Sequence, residues 1–300
     1  MLGLTDYITD CNWETIFTIW YTWSDDLYQT LIQQNGRLRQ RGPMPHFSDS
    51  EVITVSLIIE AFFGGKEELG LAFVRQYHSD LFPNLLDNSQ FNRRRRHLTG
   101  VMEWMRKRIT KLLIPEEDRM RVMDSAPIPV CTYTRSGENA TISGTEYASV
   151  MTSKRAKMYG FRFYATASVE QVVDEWMLAP AAPNEGKLMP EFLDSCRDLF
   201  IIADNGFQTP SEIAWLEETR NIQVVAMRRS NDKNRLPSAM RRLLNRLRRR
   251  IETVFSVMTT AFNLETPGSR SLGGLLCRVT TTVLVYNLSF LTNFELLSMK

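Results

Sequence analysis

Histidine is scarce in this chain, with three in 300 residues, and His46, His78 and His97 show no spacing that would let them share a metal ion. Cysteine is scarce too. Cys11, Cys131, Cys196 and Cys277 lie far apart with no CxxC pairing, which argues against a zinc framework and suits reduced thiols. No glycine-rich phosphate loop, nucleotide motif or Ser-His-Asp arrangement stands out. Neither sign of charge dominates: 36 basic residues against 34 acidic give a net charge of +2. Any nucleic-acid signal must therefore come from local clustering. There is no long apolar run of secretory or membrane-spanning type, and Met1 to Trp23 mixes apolar residues with Asp6, Asp10 and Glu14. The expectation is a soluble, cytoplasmic protein with no membrane partner.

What is present is enough apolar material, 43% of residues, for one large domain or two ordinary ones. The first portion, residues 1–115, reads as helical. Ser48 with Glu51 forms a capping-box pattern ahead of a stretch, Asp49 to Phe63, in which Val52, Val55, Ile59 and Phe63 recur at helical spacing, and Gly64-Gly65 ends it. Further helices are predicted at Glu67 to Tyr77 and, as one long element, from Gln90 to Leu113 before Pro115. Trp13, Trp20 and Trp23 at near-helical spacing read as core or dimer contacts.

From 116 to 300 the texture is that of a mixed α/β domain. Strands are predicted at Arg119 to Met123, Phe161 to Ser168, Val172 to Leu178, Leu199 to Ala203 and Ile222 to Ala226. Helices are predicted at Leu188 to Cys196, Pro210 to Thr219, Ala239 to Phe262 and Leu272 to Leu291. Three strands close together followed by two alternating with helices imply a mixed sheet with an antiparallel edge. Thr132 to Tyr159, rich in Thr, Ser and Gly, reads as a long polar loop ending in Lys154, Arg155 and Lys157.

Three acids attract attention. Asp124 and Asp204 each follow an apolar strand, and the carboxyl ends of strands are where open α/β sheets bind ligands. Asp204-Asn205-Gly206 is also plain turn chemistry, and Asp124 before Ser-Ala-Pro could simply start a loop. Glu252 sits in a helix four residues after Arg248, a spacing at which an ion pair is worth only a few tenths of a kcal/mol.

Taken together, strand-Asp124-Ser, strand-Ile-Ala-Asp204-Asn-Gly-Phe207 and Arg-Arg-Arg-Ile-Glu252-Thr-Val-Phe255-Ser resemble the DDE transposases of bacterial insertion sequences, over about Arg119 to Asn287. Asp-Ser-x-Pro-x-Pro-Val-Cys131 and Ser-Lys154 followed by Tyr159-Gly160-Phe161 are most similar to insertion-sequence family nine-eighty-two. The resemblance implies an RNase H-like fold with the first Asp on strand one, the second on strand four and the Glu on a later helix. It implies catalysis by Asp124, Asp204 and Glu252 holding two Mg²⁺ ions, with Mn²⁺ able to substitute, Asp124 bridging the pair. It also implies cleavage at terminal inverted repeats, transfer of the freed 3′-hydroxyl to target DNA, a homodimer in the synaptic complex and a nucleoid-associated location. Related transposases often carry Tyr, Arg, Glu and Lys around the acid. Here Arg248 matches, while Asn245 and Thr259 occupy the Tyr and Lys places. A nuclease without strand transfer, or an inactive domesticated DNA-binding protein, would share most of these features.

Basic tracts supply candidate DNA contacts. Arg93, Arg94, Arg95 and Arg96 form a run early in the long predicted helix, with Arg106, Lys107, Arg108 and Lys111 beyond. The stretch from Lys233 to Arg250 has no acid, and its Arg248 and Arg249 lead straight to Glu252. Lys154 and Arg155 are weaker candidates. Each tract could equally be a solvated face, since consecutive residues spread around a helix.

Overall fold

The computed structural model describes residues 12–36, 38, 42–131, 133–134, 142–151, 156–226, 237–269 and 271–291. Lys154, Arg155, Cys11 and the start of the basic tract, 233–236, lie outside them. The chain forms two compact units, Met1–Met105 and Arg106–Lys300. The division falls within a helix and not at Pro115.

The first unit is helical. Helix α1 spans Trp13–Asn35 and opens at Asn12, whose side chain accepts from the Thr15 N–H. In α2, Asp49–Phe63, both bonds of the Ser48/Glu51 capping box are made, and Gly64 closes the helix in the left-handed region at φ 54°. Helices α3, Glu67–Tyr77, and α4, Asn88–His97, follow. The core is aromatic: the Trp13 ring lies 4.7 Å from Phe62 and 4.8 Å from Phe73, and Phe17 lies 5.1 Å from Phe82. Trp20 is buried and Trp23 half-buried.

The long helix predicted over Gln90 to Leu113 is two helices. The chain turns at Leu98 (φ −88°, ψ 4°) and restarts as α5, Thr99–Leu113. The Thr99 hydroxyl donates to the Arg96 carbonyl at 2.8 Å. A side chain thus takes a carbonyl that an uninterrupted helix would use, a competition that periodicity does not register.

The second unit is built on a six-stranded mixed sheet. Strand β1 is Met120–Cys131, β2 Ala148–Met151, β3 Ala156–Ser168, β4 Val173–Pro180, β5 Phe200–Ala203 and β6 Gln223–Ala226. One edge of β3 pairs antiparallel with β1. Its other edge is shared end to end by β2 and β4, both antiparallel. On the far side of β1, β5 and then β6 run parallel. This is the RNase H-like arrangement, flanked by helices. Strand β2 lies inside the segment read as a polar loop, and its four residues are too few to show an alternation.

Strand β1 is longer than predicted, running on through Pro127 and Pro129. It pairs with β5 only as far as Met123 opposite Ala203, while its pairing with β3 continues past Pro129. The alternation of a strand places the N–H groups of 125, 127 and 129 on the edge that β5 has left. The Ser125 N–H is taken by the Asp124 carboxylate at 2.8 Å, and the other two positions are prolines without an N–H. Proline is tolerated in a strand at just such an unpaired edge.

The predicted helix at Leu188 to Cys196 is a 3₁₀ turn, Glu185–Leu188, and a single helical turn, α6, Met189–Phe192. Helices α7, Pro210–Arg220, α8, Ser238–Phe262, and α9, Leu272–Ser289, agree with expectation to within three residues. On α8 the buried residues Leu244, Ile251, Val254, Met258 and Phe262 form one stripe, and Phe255 meets Phe163 of β3 with ring centroids 5.8 Å apart. Asn287 of α9 binds both backbone groups of Val173, at 3.1 and 2.8 Å, and Thr110 at 3.0 Å. Such full pairing is what a buried amide needs. Among the described residues no helix is long and apolar enough to cross a membrane.

Candidate active site

The site begins where β1 and β5 part. Their last shared rung is Met123 with Ala203, so Asp124 and Asp204 are the first residues beyond it on neighbouring parallel strands. Asp124 does not end its strand, as the sequence suggested; it lies inside β1, opposite Ala165 of β3. Asp204 does end β5, and its carbonyl accepts from the Phe207 N–H at 3.1 Å to form the turn Asn205–Phe207. Phe207 is fully buried with Met189, Phe192 and Leu216. The turn reading of this segment holds, and a buried aromatic fixes the turn that follows the acid.

Glu252 follows the buried Ile251 on α8, whose apolar stripe faces the sheet. The i, i+4 pair with Arg248 is present, Nη2 to Oε1 at 2.6 Å, but the same guanidinium reaches Asp124 Oδ2 at 3.9 Å. One arginine thus links the helix acid to the strand acid.

Burial pushes the Asp124 carboxyl up to about 7, and the charges of Asp204 and Glu185 push the same way. The Ser125 N–H and Arg248 oppose them. Among the described residues no three acidic, histidine or cysteine side chains are grouped closely enough to hold a metal ion in this arrangement.

Glu185 was not among the predicted residues. Its Oε1 accepts from Ser125 Oγ at 2.9 Å and from the Arg162 guanidinium, with which it forms an ion pair. Only the turn sequence Pro183-Asn184-Glu185-Gly186, an acid just after a strand, hinted at it.

The arginine run of α4 divides by direction. Arg93 and Arg96 are exposed. Arg94 bonds the Phe47 carbonyl and the Asp49 carboxylate, and Arg95 is buried with Glu60 at 3.5 Å and Glu67 at 3.3 Å. Arg94 and Arg95 therefore commit their guanidinium groups to contacts within the first unit, Arg95 buried and Arg94 half-buried. Farther on, Arg106 donates to the Asp174 carbonyl at 2.5 Å, and Lys107 pairs with Glu175 at 3.6 Å. Arg249 is exposed on α8.

Two carboxylates at the parting of parallel strands, with a third on a helix, form the candidate site of an RNase H-like fold. Residues 115–288 match the family model for the transposase DDE domain, and the chain belongs to that family. No curated protein and no solved structure matches the chain.

Proposed function

We propose that this protein is a bacterial insertion-sequence transposase, most similar to family nine-eighty-two, that cleaves DNA at transposon ends and transfers the freed 3′-hydroxyl to target DNA. The observation that carries the proposal is the placement of Asp124 and Asp204 just beyond the last shared rung of β1 and β5, with Arg248 joining Asp124 to Glu252.

The donor set suits a hard divalent cation. All three side chains offer carboxylate oxygens, and the Asp124 carboxyl is raised by burial first and then by the charges of Asp204 and Glu185. Asp124, Asp204 and Glu252 would hold two Mg²⁺ ions, with Mn²⁺ as a substitute, and such a pair supplies stabilisation of charge on the attacking and leaving oxygens of an in-line displacement at phosphorus. The chain's own part is positional. The sheet holds the two aspartates side by side, and Arg248 offsets the charges of Asp124 and Glu252. Arg248 and the exposed Arg249 are the cations beside the acids that would bind the DNA backbone.

Residues 1–115 act as the DNA-binding region, with Arg93 and Arg96 the cations of their run that contact phosphate. Lys154 and Arg155 remain candidate contacts to the second strand or target. A homodimer pairs the two terminal inverted repeats, and the protein works in the cytoplasm on the nucleoid.

The test is cleavage and joining of a labelled duplex from the DNA flanking this gene, with Mg²⁺, comparing wild type with Glu252→Gln. Wild type cuts at the element boundary and joins the freed end, and the variant loses at least two orders of magnitude of both. Cutting without joining would favour a hydrolytic nuclease. Equal activity of the two proteins would remove Glu252 from the mechanism.

A further inference from the structure

We infer that Glu185 is a positioning residue of the active site, a clasp that fixes the Asp124 segment against the Asp204 turn. The inference rests on the metal-binding reading proposed above.

The two aspartates sit on segments that share no backbone rung beyond Met123 and Ala203. Beyond that rung, among the described residues, the two segments are joined only through side chains, and Glu185 touches both. Its Oε1 is held by Ser125 Oγ at 2.9 Å, next to Asp124, and by Arg162 of β3. Its Oε2 lies against Gly206, two residues after Asp204, so closely that a methyl group added to that glycine would overlap the oxygen.

An unrestrained glutamate would swing clear of such a methyl at little cost. This one is fixed by two donors, and Arg162 Nη1 also donates to Ser125 Oγ at 3.4 Å, so Glu185, Ser125 and Arg162 form a closed triangle. The turn carrying Glu185 is itself anchored. Asn184 accepts from the Gly186 N–H at 3.0 Å, and Gly186 packs against Thr209, leaving no room for a side chain. Two glycines, Gly186 and Gly206, are thus required by the close approach of two turns, with the Glu185 carboxylate between them.

The buried Tyr164 hydroxyl is a second pointer. It has no hydrogen-bond partner among the described residues, and the Glu185 charge acts on it.

Partners that orient metal ligands typically contribute about 10- to 100-fold in metal affinity. The experiment is Mn²⁺ binding to the full-length protein, followed by electron paramagnetic resonance without DNA, for wild type, Glu185→Ala, Glu185→Gln, Gly206→Ala, the Glu185→Ala/Gly206→Ala double variant and Asp204→Asn. Glu185→Ala should weaken Mn²⁺ about tenfold or more. Glu185→Gln, whose amide oxygen can still accept from Ser125 and Arg162, should stay within about threefold of wild type. Gly206→Ala should weaken binding alone but add nothing in the Glu185→Ala background, the coupling expected of two groups in contact.

Mn²⁺ binding by Glu185→Ala equal to wild type would overturn the clasp, as would Gln and Ala variants equally impaired, which would make charge and not position the property that matters. Additive effects of Glu185→Ala and Gly206→Ala would overturn it too. If Asp204→Asn weakens binding while Glu185→Ala does not, only the clasp falls. If Asp204→Asn binds Mn²⁺ as wild type does, the metal reading of the site falls and the clasp with it.

Discussion

The arginines of α4 and those of α8 look alike as sequence and differ as chemistry. In α4 the run from Arg93 to Arg96 circles the helix, and the packing of the first unit divides it. Arg94 and Arg95 turn to Asp49, Glu60 and Glu67, while Arg93 and Arg96 face outward. In α8 an apolar stripe takes the inward positions, so the arginines between the buried residues stay on the flanks. Arg248 lies at the border, where it meets Asp124 and Glu252. The role of a basic run is therefore decided by which acids its members find, and all of those acids except Glu252 lie far away in sequence.

The sharpest way to break this comparison is to remove Arg95. Arg95→Ala leaves Glu60 buried without its cation, and loss of one partner of a buried pair costs about 3–5 kcal/mol. Denaturant unfolding should show that loss; a change below about 1 kcal/mol would return Arg95 to the surface set.

Next in size is the electrostatic strain at Asp124. Its folded-state pKa, raised to about 7, lies above the ordinary carboxyl value. Between those two values the native state holds a proton that the unfolded chain has released. In metal-free protein stability should therefore fall as pH rises from about 4 to 7, by on the order of a few kcal/mol. Asp124→Asn should flatten that part of the stability curve, and an unchanged slope would place the strain elsewhere. Arg248→Ala should steepen it, because Arg248 is the side chain that offsets the crowded charge.

The smallest effect on stability belongs to the outward pair. Arg93→Ala with Arg96→Ala should change unfolding free energy by no more than about 0.5 kcal/mol. The same change should lower the salt dependence of DNA binding by close to two phosphate contacts. Arg94→Ala should do the reverse, costing stability with little change in the salt slope.

What could be read from the sequence was local. The Ser48/Glu51 cap, the apolar stripe of α8 and the turn after Asp204 depend on residues within a few positions, and the structure contains all three. The break at Leu98 depends on which carbonyl the Thr99 hydroxyl selects, and the inward turn of Arg95 on acids of α2 and α3. Neither leaves a periodic trace. Glu185 was missed for the same reason: its place between Ser125 and Gly206 exists only once the β1 and β5 segments have been brought together.

The prolines of β1 carry a consequence for the protein among its own copies. Beyond Met123 the side of the strand facing away from β3 offers carbonyls but no available N–H, since Ser125 has spent its donor on Asp124 and residues 127 and 129 have none. A foreign strand from a neighbouring or newly made chain would find acceptors there but no donors, and could not complete a ladder. The side of β1 beyond Asp124 is thereby kept from extending into continuous sheet and is protected from strand exchange and aggregation.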